Sequence, residues 1–268
     1  MSSPLVLRSE IPGARRIVVK VGSSSISGVN AGQIGELVDA LAVAHARGCE
    51  VILVSSGAIA TGLPFLNLGS RPTDLATQQA AAAVGQNVLI YRYQQSLNRY
   101  GIVAGQVLLT AGDVGHPTPR GNAQRAMERL LELRILPIVN ENDTVATHEI
   151  RFGDNDRLAA LVSQLVGADL LVLLSDVDAL YTKPPGKPGA RRIDFVEFGD
   201  SLSEVEFGDI GSAGVGTGGA GTKVAAAALA ASSGIPVLLA ATTDVAAALD
   251  GCGLGTWFAA AQSEPARA

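Results

Sequence analysis

The sequence predicts an α/β protein: a three-layer α/β/α sandwich around a central, mainly parallel sheet. Short β-branched apolar runs alternate with longer Ala- and Leu-rich stretches of helical spacing, the order that builds parallel sheets between helical layers. The strand-like runs are apolar at every position instead of alternate ones, as expected when both faces are covered. Bulk composition agrees. The chain has 268 residues, 47% hydrophobic and 17% charged, too apolar and too sparsely charged for a disordered polymer. A chain of this length removes roughly three quarters of its unfolded surface from water, so it needs no cross-links.

The same numbers exclude several classes. A formal charge of -5 argues against a general nucleic-acid binder, which carries a net basic face. The two cysteines, Cys49 and Cys252, make no disulfide framework and lack metal-ligand spacing. The apolar runs at 51–54 and 170–174 are far below the ~20 residues needed to cross a bilayer. Residues 1–10 lack an apolar signal core before Ile11, Pro12 and Gly13. A reducing, cytoplasmic setting is expected.

The elements follow in order. Arg16–Val21 (RIVVKV) predicts a buried strand entering a loop at Gly22. Apolar residues at helical spacing over 34–46, with Gly48 as C-cap, predict a helix. Residues 50–55 (EVILVS) predict a second strand ending at the Gly57 turn. A long helix is expected over 75–100, interrupted near Gly85, then a strand over 102–109 and a loop over 116–121 (HPTPRG). Helix 123–133, strand 136–139, helix 155–166 and strand 170–174 follow. After a Pro/Gly/Lys-rich loop at 183–189 come helix 225–231, strand 236–240 and helix 244–249. No period of 20–50 residues recurs, so a solenoid is not expected. Residues 15–260 form one domain in this reading, between an N-terminal extension 1–14 and a tail 261–268.

In such sheets ligands bind beyond the carboxyl ends of the strands, and the chemistry-bearing residues fall in those loops. Lys20, Gly22 and the serines 23–25 offer a point charge and exposed backbone N–H groups to an anion; a surface lysine before a turn is the bland alternative. Ser55, Ser56 and Gly57 open a helix, where a ligand anion or a plain serine N-cap would fit. Asn140-Glu141-Asn142-Asp143 is too polar for core, and suits a ligand carrying an ammonium and a carboxylate. Gly153-Asp154-Asn155-Asp156 opens a helix, where acidic residues are also ordinary. The loop 214–223 contains GxGxxG, but no strong strand precedes it. It is not a Walker A loop, because Thr222 separates Gly221 from Lys223. A glycine-rich anion cradle and a flexible linker remain as its two readings.

The three histidines, His45, His116 and His148, form no obvious partnership with a nucleophile. Phosphoryl transfer to a carboxylate needs none, because an acid of pKa near ~4 is already ionised at pH 7. Its obstacle is charge repulsion, which lysines and Mg²⁺ relieve.

Together the segments resemble the amino acid kinase family. KVGSS (20–24), SSGAIATG (55–62), VNENDTVA (139–146), FGDND (152–156), SDVDALY (175–181) and GTGGAGTK (216–223) stand in the family's order, within a similarity running from Arg16 to Phe258. The NENDTVA and FGDND pair is similar to the branch acting on L-glutamate, and differs from the acetylglutamate, aspartate and uridylate branches. The resemblance implies transfer of the ATP γ-phosphoryl group to the γ-carboxylate of L-glutamate, giving glutamyl 5-phosphate for proline synthesis. By position, Lys20 and Lys223 would stabilise the transferring phosphoryl group and Asp156 would orient both. Ser56, Asp143 and Asn155 would bind glutamate, with Asn140 nearby. Lys20, Gly22, Ser175, Asp176, Thr217, Gly218, Gly219, Ala220, Gly221, Thr222 and Lys223 would hold the nucleotide, and Gly57 would admit the phosphates. Mg²⁺ is implied as cofactor with ATP; no residue set is read as a metal site of its own. Proline as feedback inhibitor, the glutamyl phosphate reductase that takes the product, and a homo-oligomer (dimer or tetramer) are the further implied partners. Two departures stand out: Ala220 replaces a methionine common in relatives, and no room is expected after Trp257-Phe258 for the RNA-modification-type C-terminal domain (PUA) that many carry. Another reaction of the same family, such as N-acetylglutamate phosphorylation, and a non-catalytic nucleotide- or amino-acid-binding regulator are the rival readings.

Overall fold

The computed structural model describes residues 5–68, 72–145, 155–207 and 219–262. Along the chain these form β1 (Arg16–Val21), α1 (Gln33–Ala46), β2 (Glu50–Val54), α2 (Ala58–Gly62), α3 (Leu75–Leu97), β3 (Ala104–Leu109), α4 (Ala111–Gly115), α5 (Pro117–Glu132) and β4 (Leu136–Glu141). There follow α6 (Asn155–Val166), β5 (Leu170–Ser175), β6 (Leu180–Tyr181), β7 (Arg192–Ile193), β8 (Phe195–Val196), α7 (Ala220–Ala231), β9 (Val237–Ala241), α8 (Val245–Leu249) and β10 (Thr256–Phe258).

Eight strands form one sheet in the order β3-β4-β2-β1-β5-β9-β10-β8, parallel except where β10 runs against β9. The expected sandwich is therefore present. Strands β1, β4, β5 and β9 are buried along their whole length, which is why their sequences read as continuous apolar runs. Alternation then divides each strand between two cores. Ile17, Val19 and Val21 face α1, α3 and α8, while Val18 shares its side with Met127, Leu158 and Ala227 of α5, α6 and α7.

Sheet order fixes where a ligand can enter. From β1 the chain crosses to β2 on one side, whereas β5, on the other side of β1, passes on to β9. The outgoing connections of β1 and β5 diverge, leaving a crevice at their carboxyl ends, the usual binding place in open parallel sheets.

Several local expectations are corrected. Helix α3 runs unbroken through Gly85, because the glycine serves packing: a Cβ there would lie 1.8 Å from the Ala58 carbonyl oxygen, and one on Gly62 would lie 1.9 Å from that of Ala81. Thus α2 and α3 touch backbone to backbone, which only glycine permits. The expected loop 116–121 is instead the start of α5; Pro117 occupies its first turn, where a missing N–H and a fixed φ fit. β4 continues through Asn140 and Glu141, and β5 through Ser175, so part of the polar signal belongs to the strands. The short strands β6, β7, β8 and β10 had no sequence signal long enough to register.

A candidate active site at the carboxyl edge of the sheet

Lys20 is the penultimate residue of β1, in register with Val54 of β2 and Leu173 of β5. It shares the sheet face of Val18, under α6 and α7. Asp156 stands in the first turn of α6 and Lys223 in the first turn of α7. Lys20 Nζ lies 2.7 Å from Asp156 Oδ1, and Lys223 Nζ lies 3.3 Å from Asp156 Oδ2. Thr222 Oγ1 donates to Asp156 Oδ2 at 2.8 Å and accepts from the Gly219 N–H at 3.1 Å. Lys20, Lys223 and Asp156 are all buried. Burial pushes the Asp156 carboxyl up, but the Lys20 and Lys223 ammonium groups, with hydrogen bonds from Lys20 and Thr222, outweigh it and hold it well below the usual carboxylate range. Two cations separated by most of the sequence thus meet on one carboxylate.

The loops around this triad are held close. Gly22 follows β1, and a Cβ on it would stand 3.9 Å from Lys20 Nζ, so the backbone here lies beside the ammonium. Gly57 caps α2 with φ 94°, and a Cβ there would meet the Ser23 Cβ at 3.4 Å. The β1 and β2 loops therefore abut, and neither Ser55 nor Ser56 is the cap of α2. Ser56 is buried beyond β2; behind it, Tyr93 OH lies 3.0 Å from Ser55 Oγ, which donates to the Ser56 carbonyl at 3.2 Å.

On the β4 side, Asn140 Oδ1 accepts the Glu141 N–H at 2.9 Å, and Asn155 sits beside Asp156. Asn140 Nδ2 and Asn155 Oδ1 are buried polar atoms with no hydrogen-bond partner among the described residues. Buried amides left this way can take up a polar ligand or water. Burial, and then the neighbouring Glu141 charge, push the Asp143 carboxyl up to about 7. An ammonium ligand would relieve both costs.

On the other flank, Ser175 ends β5 and its hydroxyl donates to Asp176 Oδ1 at 3.1 Å. Gly219, Ala220 and Gly221 lead into α7, with Gly221 against the Phe207 ring. Thr217 and Gly218, like Gly153, Asp154 and His148, lie outside the described residues. Of the other histidines, His45 is in α1 beside the Arg134 carbonyl and His116 joins α4 to α5.

Sequence reading named Ser25 with its loop but missed its buried partner Thr242, and it missed Tyr93 behind Ser55. Their partners are distant in sequence, so no spacing reveals them. The one available signal was a pair of hydroxyls, Thr242 and Thr243, directly after an apolar strand.

A buried lysine pair sharing one carboxylate thus stands at the crevice of a doubly covered parallel sheet. The amino acid kinase family model matches residues 15–241, and the chain belongs to that family. It is 75% identical over 252 residues to a glutamate 5-kinase of Clavibacter sepedonicus, covering 94% of this chain and 97% of that one. It is 74% identical over 255 residues to a glutamate 5-kinase of Leifsonia xyli, with 95% and 94% covered. A relative of the same description from Streptomyces coelicolor is 55% identical, with 94% of this chain and 68% of that protein covered. Among solved structures, a carbamate kinase from Giardia lamblia bound to AMP-PNP superposes with TM-score 0.67 at 13% identity, over 93% of this chain and all of the other. That likeness establishes the fold.

Proposed function

We propose that this chain transfers the γ-phosphoryl group of ATP to the γ-carboxylate of L-glutamate, forming L-glutamyl 5-phosphate, the first step of proline biosynthesis. The observation that carries the reading is the buried Lys20–Asp156–Lys223 cluster at the sheet crevice, within a chain 75% identical to proteins described as glutamate 5-kinases.

In the reaction a γ-carboxylate oxygen forms a bond to the γ-phosphorus. The bond from that phosphorus to the β–γ bridging oxygen breaks, and its electron pair leaves with ADP. No proton has to be removed, since the attacking acid is ionised at neutral pH. Lys20 and Lys223 face charge spreading over the transferring oxygens, and Asp156 fixes both ammonium groups before substrate arrives, so little reorganisation is needed in the transition state. Asp143 takes the substrate ammonium, while Ser56, Asn140 and Asn155 orient its polar groups. Gly22, Ser175, Asp176 and the stretch 217–223 hold the nucleotide.

Mg²⁺ fits as an ion carried in on the polyphosphate: the phosphate side is lined by lysines, and among the described residues no cluster of three His, Cys, Asp or Glu side chains is arranged to hold it. When bound it neutralises polyphosphate charge. The same reading extends to a kinase domain over 15–260 between an extension 1–14 and a tail 261–268, a cytoplasmic homo-oligomer, inhibition by proline, and a reductase that takes the product. No helix among the described residues is long and apolar enough to cross a membrane.

The test is ATP- and Mg²⁺-dependent acyl phosphate formation, trapped by hydroxylamine, across a panel of glutamate, N-acetylglutamate, aspartate and carbamate. Turnover is expected with glutamate. Turnover only with another acceptor would reassign the substrate, and none with any acceptor would defeat the reading.

A further inference from the structure

Thr242 lies outside every segment that carries the family resemblance, immediately after β9. It is buried, with Oγ1 2.9 Å from Ser25 Oγ and 3.0 Å from the Ser175 carbonyl oxygen. A threonine hydroxyl has one hydrogen and a carbonyl only accepts. Thr242 Oγ1 stands as donor toward both, its one hydrogen shared between Ser25 Oγ and the Ser175 carbonyl. The result is a hydroxyl bridge across the ends of β1, β5 and β9.

The sheet register brings these three ends together: Val21 pairs with Leu174 in the β1–β5 ladder, and Ser175 with Ala241 in the β5–β9 ladder. Beyond that level the ladders stop and the outgoing connections diverge, because this is the crevice. Ser25 closes the turn that begins at Gly22, its N–H donating to the Gly22 carbonyl at 3.2 Å. Ser175 opens the Ser175-Asp176 segment. What spans the gap between the two loops, behind the ligand space, is the Thr242 hydroxyl.

We propose that Thr242 is a positioning residue that locks the Gly22–Ser25 turn to the Ser175-Asp176 segment, and so presets the spacing of the two loops that take the nucleotide. The inference rests on the kinase reading above. Thr242 touches no reacting atom; it acts through Ser25 and Ser175. Removing the hydroxyl leaves two buried polar atoms unpaired, and they regain partners only by moving the loops. The loss falls mainly on ATP, because Asn140, Asp143 and Asn155 stand at the end of β4, just beyond it and at the start of α6. Of the glutamate-side residues, Ser56 alone neighbours the moving turn, where Gly57 packs on Ser23.

The experiment compares Thr242→Val, which keeps the shape, Thr242→Ser, which keeps the hydroxyl, and Ser25→Ala. Dissociation constants for AMP-PNP and for glutamate are read by calorimetry, alongside both KM values. Thr242→Val is expected to weaken AMP-PNP about tenfold, the usual scale for orphaning a buried partner, with glutamate affinity changed less than about twofold. Thr242→Ser is expected to restore wild-type values. Ser25→Ala is expected to show the same selectivity at smaller size, and to combine non-additively with Thr242→Val. Equal losses for both ligands, no loss for either, or a serine variant as weak as the valine variant would overturn the inference. Should Thr242→Val fail to fold, the selectivity of Ser25→Ala decides in the same way. Wild-type protein that bound no AMP-PNP would overturn the kinase reading and this inference together; wild-type binding untouched by Thr242→Val overturns this inference alone.

Discussion

The two ends of β1 make an instructive pair. Arg16 and Lys20 occupy the first and fifth positions of one strand, share one face, and are both buried. At the amino end Arg16 is closed in by its own chain: Nε meets Glu50 at 2.8 Å, the two terminal nitrogens grip Glu128 at 2.8 and 3.0 Å, and Nη1 also reaches the Val166 carbonyl. One buried cation faces two carboxylates there, in the planar forked geometry that guanidinium favours, with the exposed Arg15 also on Glu50 at 3.4 Å. At the carboxyl end the ratio is inverted, with two ammonium groups sharing the carboxylate of Asp156. A buried cation saturated by its own chain holds the fold together. A buried cation pair on one shared anion keeps net positive charge under the crevice, which the proposed reaction would use.

That contrast can be broken experimentally, and the largest effect is expected at the carboxyl end. Lys20→Ala or Lys223→Ala should cut kcat of the folded protein by at least ~10²-fold, the scale of losing one transition-state charge partner. Each leaves the buried Asp156 one ammonium partner, so the melting temperature should fall but the protein should still fold; steady-state rates and calorimetry on each variant check both halves. Arg16→Met should do the reverse. Glu50 and Glu128 then lose a partner but are partly exposed, and Glu50 keeps Arg15. The cost should therefore be about 1–3 kcal/mol of stability, seen in urea unfolding, while kcat of the folded fraction stays near wild type.

The next effect sharpens the comparison within the site. The Asp143 carboxyl, ordinarily near 3.8, is held at about 7. With the folded value raised, the contribution of Asp143 to stability is fully present below about pH 4 and is lost as pH rises through 7. Asp143→Asn should therefore raise the stability of ligand-free protein at pH 8, by up to about 4 kcal/mol, and leave it unchanged at pH 3.5. The same variant should raise KM for glutamate and leave KM for ATP unaltered. A shift in the ATP constant instead would reverse the assigned halves of the site. The smallest effect is expected at Tyr93→Phe, which removes the donor to Ser55. It should cost about 1 kcal/mol and raise KM for glutamate a few-fold, through Ser56.

Much of this was legible in the sequence because burial on both faces writes itself into a strand as unbroken apolar residues, as in RIVVKV and LLVLLS. The polar residues at the carboxyl ends of such strands, Lys20 in β1 and Asn140 in β4, drew attention because they interrupt apolar runs. Arg16 interrupts one too, and only its partners Glu50 and Glu128 mark it as structural. Local chemistry misled where tertiary context decided. Gly85 looked like a helix break and is a contact point between two backbones. Pro117 and Pro119 looked like a loop and begin a helix. The Ser25–Thr242 contact joins residues 217 apart, and no periodicity carries information over that distance.

The central claim is that Lys20 and Lys223 act on one phosphoryl group as a unit set by Asp156. It is tested most directly by kcat for Lys20→Ala, Lys223→Ala and the double variant, measured under saturating ATP and glutamate. Residues that work as a unit give a double variant scarcely slower than the worse single one. Losses that multiplied, or a single variant as fast as wild type, would mean that the two ammonium groups serve separate purposes.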